Sequence, residues 1–152
     1  MSRAFVSEDS LTEDVVDRSI SPHPNYVTAV GLRQIEQALE AAREAHGAAQ
    51  VSGRAELAKT SSDIRYWSAR RASARVLTPD ASRGTVQFGS TVSILRDGRK
   101  QTFQIVGEDE ADPTKGKISY VSLLARAIMN KEVGDTSMPG KSEIEVAEVS
   151  SE

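Results

Sequence analysis

The side chains with chemistry to offer are concentrated in two places. Between residues 54 and 75 six cations, Arg54, Lys59, Arg65, Arg70, Arg71 and Arg75, outnumber Glu56 and Asp63. Cations gathered on one helix face bind anions, either an acidic protein surface or a nucleic acid. The alternative is a solvated face partly neutralised across a helical hairpin by Glu36, Glu40 and Glu44. Trp67, beside Tyr66, has a ring that could stack on a base, but it shares its helical spacing with Ile64, which favours a core anchor. The second concentration is acidic. Glu108, Asp109, Glu110 and Asp112 stand in a turn that Pro113 and Gly116 force between a β-branched run ending at Val106 and an apolar strand restarting at Ile118. Ser122 can then cap a short helix, and Val133-Gly134-Asp135 stops it. A loop and helix of this kind form a docking platform more readily than a reaction centre. Cysteine is absent, and His23 and His46 are too few and too far apart for a zinc site, so disulfide and thiolate-metal chemistry are excluded.

The elements that position these groups change period partway along the chain. From Thr28, a candidate cap, to His46, the residues Leu32, Ile35, Leu39, Ala42 and His46 recur at spacings of three and four, and Gly47 is expected to end that helix. After a small-residue turn from Gly47 to Gly53, Leu57, Thr60, Ile64, Trp67, Arg71 and Ala74 repeat the spacing up to about Val76. Two such helices make an antiparallel coiled-coil hairpin about 30 Å long, with a seam that weakens toward its turn. Pro79 blocks continuation, and the alternation beyond it has period two: Val86 and Phe88, Val92 and Ile94, Phe103 and Ile105, and finally Ile144, Val146 and Val149. Arg96-Asp97-Gly98-Arg99 supplies a hairpin turn, and Leu124, Ala125, Ile128 and Met129 face the buried side of the short helix. The expectation is an α+β chain: a flexible tail over 1–25, a helical hairpin over 26–77, a linker over 78–84 and a small, mostly antiparallel sheet domain over 85–149.

In that tail Glu8, Asp9, Glu13, Asp14 and Asp17 leave little to bury, although Phe5 and Val6 offer a way to pin it to the folded body. A length of 152 residues, 38% hydrophobic, suits one ordinary domain or two small ones, and two are expected. The formal charge of -3 gives no general attraction to nucleic acid, so contact with a nucleic-acid machine must be local or through a protein partner. No run approaches the apolar length of a membrane span, so no membrane partner and a cytoplasmic location are expected.

From about Asn25 to Glu148 the chain resembles the bacterial Gre transcription factors, most strongly in V-x-F-G-S-T-V from Val86 to Val92 and F-Q-I-V-G-E-D-E-A-D from Phe103 to Asp112. Ser122 to Arg126 and Lys131 to Asp135 continue the likeness. It implies a coiled-coil hairpin that enters the secondary channel of RNA polymerase and an FKBP-like domain of β-sheet and one short helix that holds the channel's outer rim. Cleavage of backtracked RNA in that family depends on an Asp and a Glu at the hairpin tip, which help hold a catalytic Mg2+ and orient its water. This chain departs there: its turn, H-G-A-A-Q-V-S-G, is shortened and contains no acid, and Glu44 and Glu56 are the nearest carboxylates. It departs again before the short helix, where Val121-Ser122-Leu123 replaces an Asp or Asn followed by Ser-Pro. Leu123 either packs inward or offers an apolar contact in place of the proline.

The resemblance thus implies a partner, bacterial RNA polymerase, with contact to nucleic acid inside the transcription complex. The expected polymerase-binding residues are Val121, Ser122 and Leu123, with Arg65, Arg70 and Arg71 as helix contacts. No catalytic residue, metal or cofactor is expected. The expected function is a non-enzymatic regulator of elongation at the secondary channel, and the alternative is an active cleavage factor that uses Glu44 and Glu56 through a rearranged tip. Peptidyl-prolyl isomerase activity, suggested by the FKBP-like fold alone, is disfavoured by the small number of aromatic residues.

Overall fold

In the computed structural model, which describes residues 17–151, Thr28 opens the first long helix as its position suggests. Its hydroxyl accepts from Gly31 N at 3.0 Å, and its carbonyl accepts from Leu32 N at 2.9 Å. That helix, α1, spans Ala29–Ala49, and α2 spans Arg54–Ser73. Gly47 does not end α1. It lies within the helix at an open, exposed position, where a glycine costs about 1 kcal/mol relative to alanine but breaks nothing. The reversal falls instead at Gln50 to Gly53, where Gly53 takes φ 112°, a value that suits glycine. Ala49, 1% exposed, carries the seam of Ile35, Leu39 and Ala42 one turn further.

Contacts between the helices run in opposite directions, as an antiparallel hairpin requires. His46 Nδ1 lies 2.8 Å from Thr60 Oγ1 near the turn, and Glu36 meets Arg71 at 3.5 Å well away from it. The Thr60 hydroxyl already donates to backbone carbonyls of its own helix, so His46 Nδ1–H is the donor of that pair. The seam on α2 is weaker than its spacing suggests. Thr60, Ser62 and Arg70 are the buried residues, while Leu57, Ile64 and Trp67 are half-buried and Arg71 is exposed. Thr60 and Ser62 lie about 200° apart around a helix, so α2 is covered on two sides.

The second cover is the segment that precedes α1. Asp17 accepts two bonds from Arg65, at 2.6 and 2.9 Å, and the Arg18 guanidinium lies 3.7 Å from the centroid of the Tyr66 ring. At Asp17 and Arg18 the stretch expected to be mobile is therefore held against α2. The expectations for residues 1–16, including Phe5 and Val6, lie outside the described residues.

Two compact units result: Arg33–Ala74 with the described part of Met1–Pro24, and Asn25–Leu32 with the described part of Arg75–Glu152. In the second unit β1 (Tyr26–Val27) pairs in parallel with β2 (Arg75–Val76). Both strands have two residues, too few for alternation to reveal. The main sheet has the order β5-β4-β3-β7-β6, from β3 (Thr91–Arg96), β4 (Arg99–Val106), β5 (Lys117–Ser119), β6 (Thr136–Ser137) and β7 (Ile144–Ser150). All its neighbours are antiparallel except β4 and β5. The expected two-residue turn is present, with φ 54° at Asp97 and 76° at Gly98.

Val86 and Phe88 are buried as expected but form no strand. Val86 N donates to the Lys131 carbonyl and its own carbonyl accepts from Asn130 N, so a loop satisfies this buried backbone. The stretch 78–84 also belongs to this unit. The Gln87 amide ties it down, accepting from Asp80 N and donating to the Asp80 carbonyl. The short helix α3 (Leu123–Ile128) covers the sheet with Ala125 and Ile128, both 0% exposed, above Val92, Ile94, Phe103, Ile105, Ile144 and Val146. It stops at Ile128 rather than at Gly134, because Met129 is extended and Asn130 takes φ 68°. Among the described residues no helix is long and apolar enough to cross a membrane.

Candidate docking surface

The platform is built from the acidic turn upward. Glu110 is 6% exposed, and its carboxylate is the acceptor that joins three pieces of backbone. It accepts from the Thr28 hydroxyl and, at 3.1 Å, from Lys117 Nζ on β5. A negative group there also suits the first turn of α1, whose N–H groups have no helical partners. The fit explains Gly31: a Cβ at that position would lie 2.7 Å from Glu110 Oε1. Gly107 is similarly required, since its Cβ would meet the Tyr26 carbonyl at 2.3 Å. Asp112 holds the far end of the turn by accepting from Thr114 N and the Thr114 hydroxyl. The Thr114 hydroxyl is the main cause of the lowered Asp112 pKa.

Beyond β5 the rings of Tyr120, Phe88 and Tyr26 pack together, with centroids 5.4 to 6.1 Å apart. This cluster anchors the entry to α3. Ser119 Oγ accepts from Val121 N at 3.2 Å, and the Ser122 hydroxyl caps α3 through Ala125 N at 3.2 Å. Ser122 thus has a structural task, and Val121 is half-buried. Leu123 does not pack inward. It is 66% exposed, because the first position of a helix capped from Ser122 faces away from the sheet that Ala125 and Ile128 cover. Leu123 and Leu124 line a cleft of about 350 Å3 with Arg96, Pro139, Gly140, Lys141 and Ser142. Met138, the residue before Pro139 in the chain, is 64% exposed.

Arg96 and Lys141 were not among the candidates read from sequence. Arg96 reads as part of a hairpin turn, yet it follows Val92 and Ile94 at a spacing of two, and that spacing was the available signal.

The helical candidates fare unevenly. Arg70 is 2% exposed, so its expected role as a surface contact is corrected: its side chain is buried rather than presented to solvent. Arg65 is exposed but committed to Asp17, whose pKa is lowered first by the bond from Arg65 and then by one from Ser62, and the Arg65 value is raised in turn. Arg71 is exposed and paired with Glu36. Trp67 is half-buried, with Tyr66 edge-on at 4.9 Å and Arg18 5.2 Å from its ring centroid. Glu44 and Glu56 are both exposed on the helices, and the apex between them presents Val51, 93% exposed. Among the described residues no three His, Asp or Glu side chains gather as a metal site.

Residues 81–151 match the family model described as "Transcription elongation factor, GreA/GreB, C-term". The chain is 53% identical over 58 residues to transcription elongation factor GreA of Maricaulis maris, a match covering 37% of each protein. It is 42% identical over 93 residues to GreB of Neisseria meningitidis serogroup A, covering 57% of each. These stretches span less than two thirds of either relative. A longer match, 35% identical over 132 residues, covers 81% of this chain and 75% of GreA from Desulfovibrio desulfuricans. Among solved structures, GreA factor homolog 1 (Gfh1) of Thermus thermophilus is 24% identical with a TM-score of 0.39, covering 84% of this chain and 99% of that one. On its sequence match across three quarters of a GreA protein, the chain belongs to the GreA/GreB family of transcription elongation factors.

Proposed function

We propose that this chain binds bacterial RNA polymerase and regulates elongation from the secondary channel without stimulating transcript cleavage. Family membership supports the choice of partner. The observation that carries the rest is the hairpin apex, where Gln50 to Gly53 present an exposed Val51 and no carboxylate. Metal-directed cleavage needs carboxylates within coordination or one-water distance, and a misplacement of about 1 Å can cost roughly 100-fold in rate. Glu44 lies within α1 and Glu56 within the first turn of α2, each off the apex. The hairpin then works by occupancy, and Leu123 with Val121 docks the platform on the polymerase. Contact with nucleic acid inside the complex would come through exposed cations of α2 such as Arg71, with Arg65 available only where its bond to Asp17 is exchanged.

The test follows transcript shortening in a backtracked elongation complex with and without the protein. Pause duration should change while cleavage stays at the intrinsic rate, for the natural chain and for the Glu44→Gln, Glu56→Gln double variant. Cleavage by the natural chain that disappears in the double variant would overturn the reading.

A further inference from the structure

Arg96 ends β3 two residues beyond Ile94, so its side chain emerges on the core side of the sheet, at the mouth of the cleft that Leu123 and Leu124 line. Its Nε is buried and has no hydrogen-bond partner among the described residues. Such an atom normally finds an acceptor, because an unsatisfied buried donor of a charged group is costly. Asp97, its neighbour in the turn, shares the adjoining groove with Arg99 and Gln101 but does not satisfy that Nε. A second cation, Lys141, stands on the same cleft, and Leu123, which also lines it, is largely exposed.

We infer that Arg96 is the specificity-determining residue of this cleft, receiving a carboxylate from an acidic, amphipathic segment of the partner protein whose apolar side rests on Leu123. The inference deepens the docking role proposed above and rests on it. A planar guanidinium lining a cleft can hold a carboxylate by two parallel bonds, and Lys141 adds charge without that geometry. A phosphate backbone would satisfy the two cations but leave the exposed Leu123 uncovered, so a protein segment fits the whole cleft better.

The experiment measures binding of the full chain to purified bacterial RNA polymerase by interferometry over a salt series. It compares the natural protein with Arg96→Gln, Arg96→Lys, Leu123→Asp and a control, Arg83→Gln, an exposed arginine outside the cleft. Thermal melts establish that each variant is folded. Arg96→Gln should weaken binding on the order of 10- to 100-fold and flatten its salt dependence, with Arg96→Lys recovering only part and Arg83→Gln within about twofold. Loss of binding in Leu123→Asp with Arg96→Gln unchanged overturns the role of Arg96 while the docking reading stands. No binding by the natural chain overturns both. Equal weakening of binding to a single-stranded oligonucleotide by Arg96→Gln would identify a phosphate site and overturn the protein segment as occupant. Full rescue by Arg96→Lys would overturn the bidentate geometry.

Discussion

The sheet unit encloses Val86, Val92, Ile94, Ile105 and Ile128 completely, whereas α2 encloses Thr60, Ser62 and Arg70 and leaves Leu57, Ile64 and Trp67 half exposed. The first arrangement is a hydrocarbon core between a sheet and a short helix, stabilised by close packing that tolerates little change. The second relies on polar partners: His46 for Thr60, and Asp17 for Ser62 and Arg65. A docking surface mounted on the first kind of unit keeps its shape under most conditions. A helix held in the second way responds to pH, salt and the loss of single polar groups, so the two regions of this chain should separate under perturbation.

The largest expected separation comes from one substitution applied to both. Ile105→Ala should cost about 2 to 5 kcal/mol, since the side chain is fully buried on a central strand. Ile64→Ala should cost about 1 to 2 kcal/mol, since its half-exposed side chain loses less on truncation. Thermal melts read by circular dichroism, with amide exchange to locate the loss, give both numbers. Equal costs would mean that the hairpin seam is packed as tightly as the sheet core, and the contrast would fail.

Glu110→Gln asks whether the sheet unit also has a polar weak point. The amide can still accept from Thr28, but the ion pair with Lys117 is lost at a site whose Glu110 side chain is 2% exposed. The expected cost is about 1 to 3 kcal/mol, with faster amide exchange at Gly31 and Leu32 as the local sign. A neutral result would show that the buried carboxylate acts through its shape alone.

How much of this was legible depends on whether a signal is local. Ser122 capping α3, Thr28 capping α1 and the Asp97-Gly98 turn each follow from a few adjacent residues, and all three are present. Leu123 and Arg70 illustrate the limit. Both lie where helical spacing allows either face, and the outcome depends on the fold around them: the sheet under α3 sends Leu123 outward, and Arg70 is buried at 2% exposure. Alternation at Val86 and Phe88 gave the right burial and the wrong element, because period two reports which residues are covered and not whether a neighbouring strand pairs with them. The paired strands β1 and β2, 49 residues apart at Tyr26 and Arg75, carry no local pattern at all.

A smaller effect is expected at Asp17, where the contrast predicts pH sensitivity on the helical side. Its pKa is lowered by bonds from Arg65 and Ser62, so its contribution is complete above the unfolded value and disappears as pH falls through the depressed folded value. Trp67 emission should report the release, because Arg18, next in the chain, lies 5.2 Å from that ring centroid. Lowering pH through that window should change the emission of the natural chain. Asp17→Asn should show the altered emission already at neutral pH and lose the acid step. An acid step retained in Asp17→Asn would assign it to another carboxylate.

The smallest effect belongs to Arg71, and its smallness is informative. Arg71 meets Glu36 across the hairpin at 3.5 Å, but the two side chains are 54% and 44% exposed. In high dielectric such a pair gains little Coulomb energy and loses side-chain entropy to hold its geometry, so exposed pairs contribute about 0 to 1 kcal/mol. Arg71→Ala should therefore leave the melting temperature nearly unchanged, and added salt should not distinguish the variant from the natural chain. The Asp17 and Arg65 pair is just as open, at 54% and 59%, but it has two bonds, at 2.6 and 2.9 Å, and a further bond from Ser62. If Arg71→Ala shifted Trp67 emission as strongly as Asp17→Asn, geometry would not be what separates the two pairs. If polymerase binding weakened while the melt stayed fixed, the exposed guanidinium of Arg71 would be acting on the partner and not on the fold.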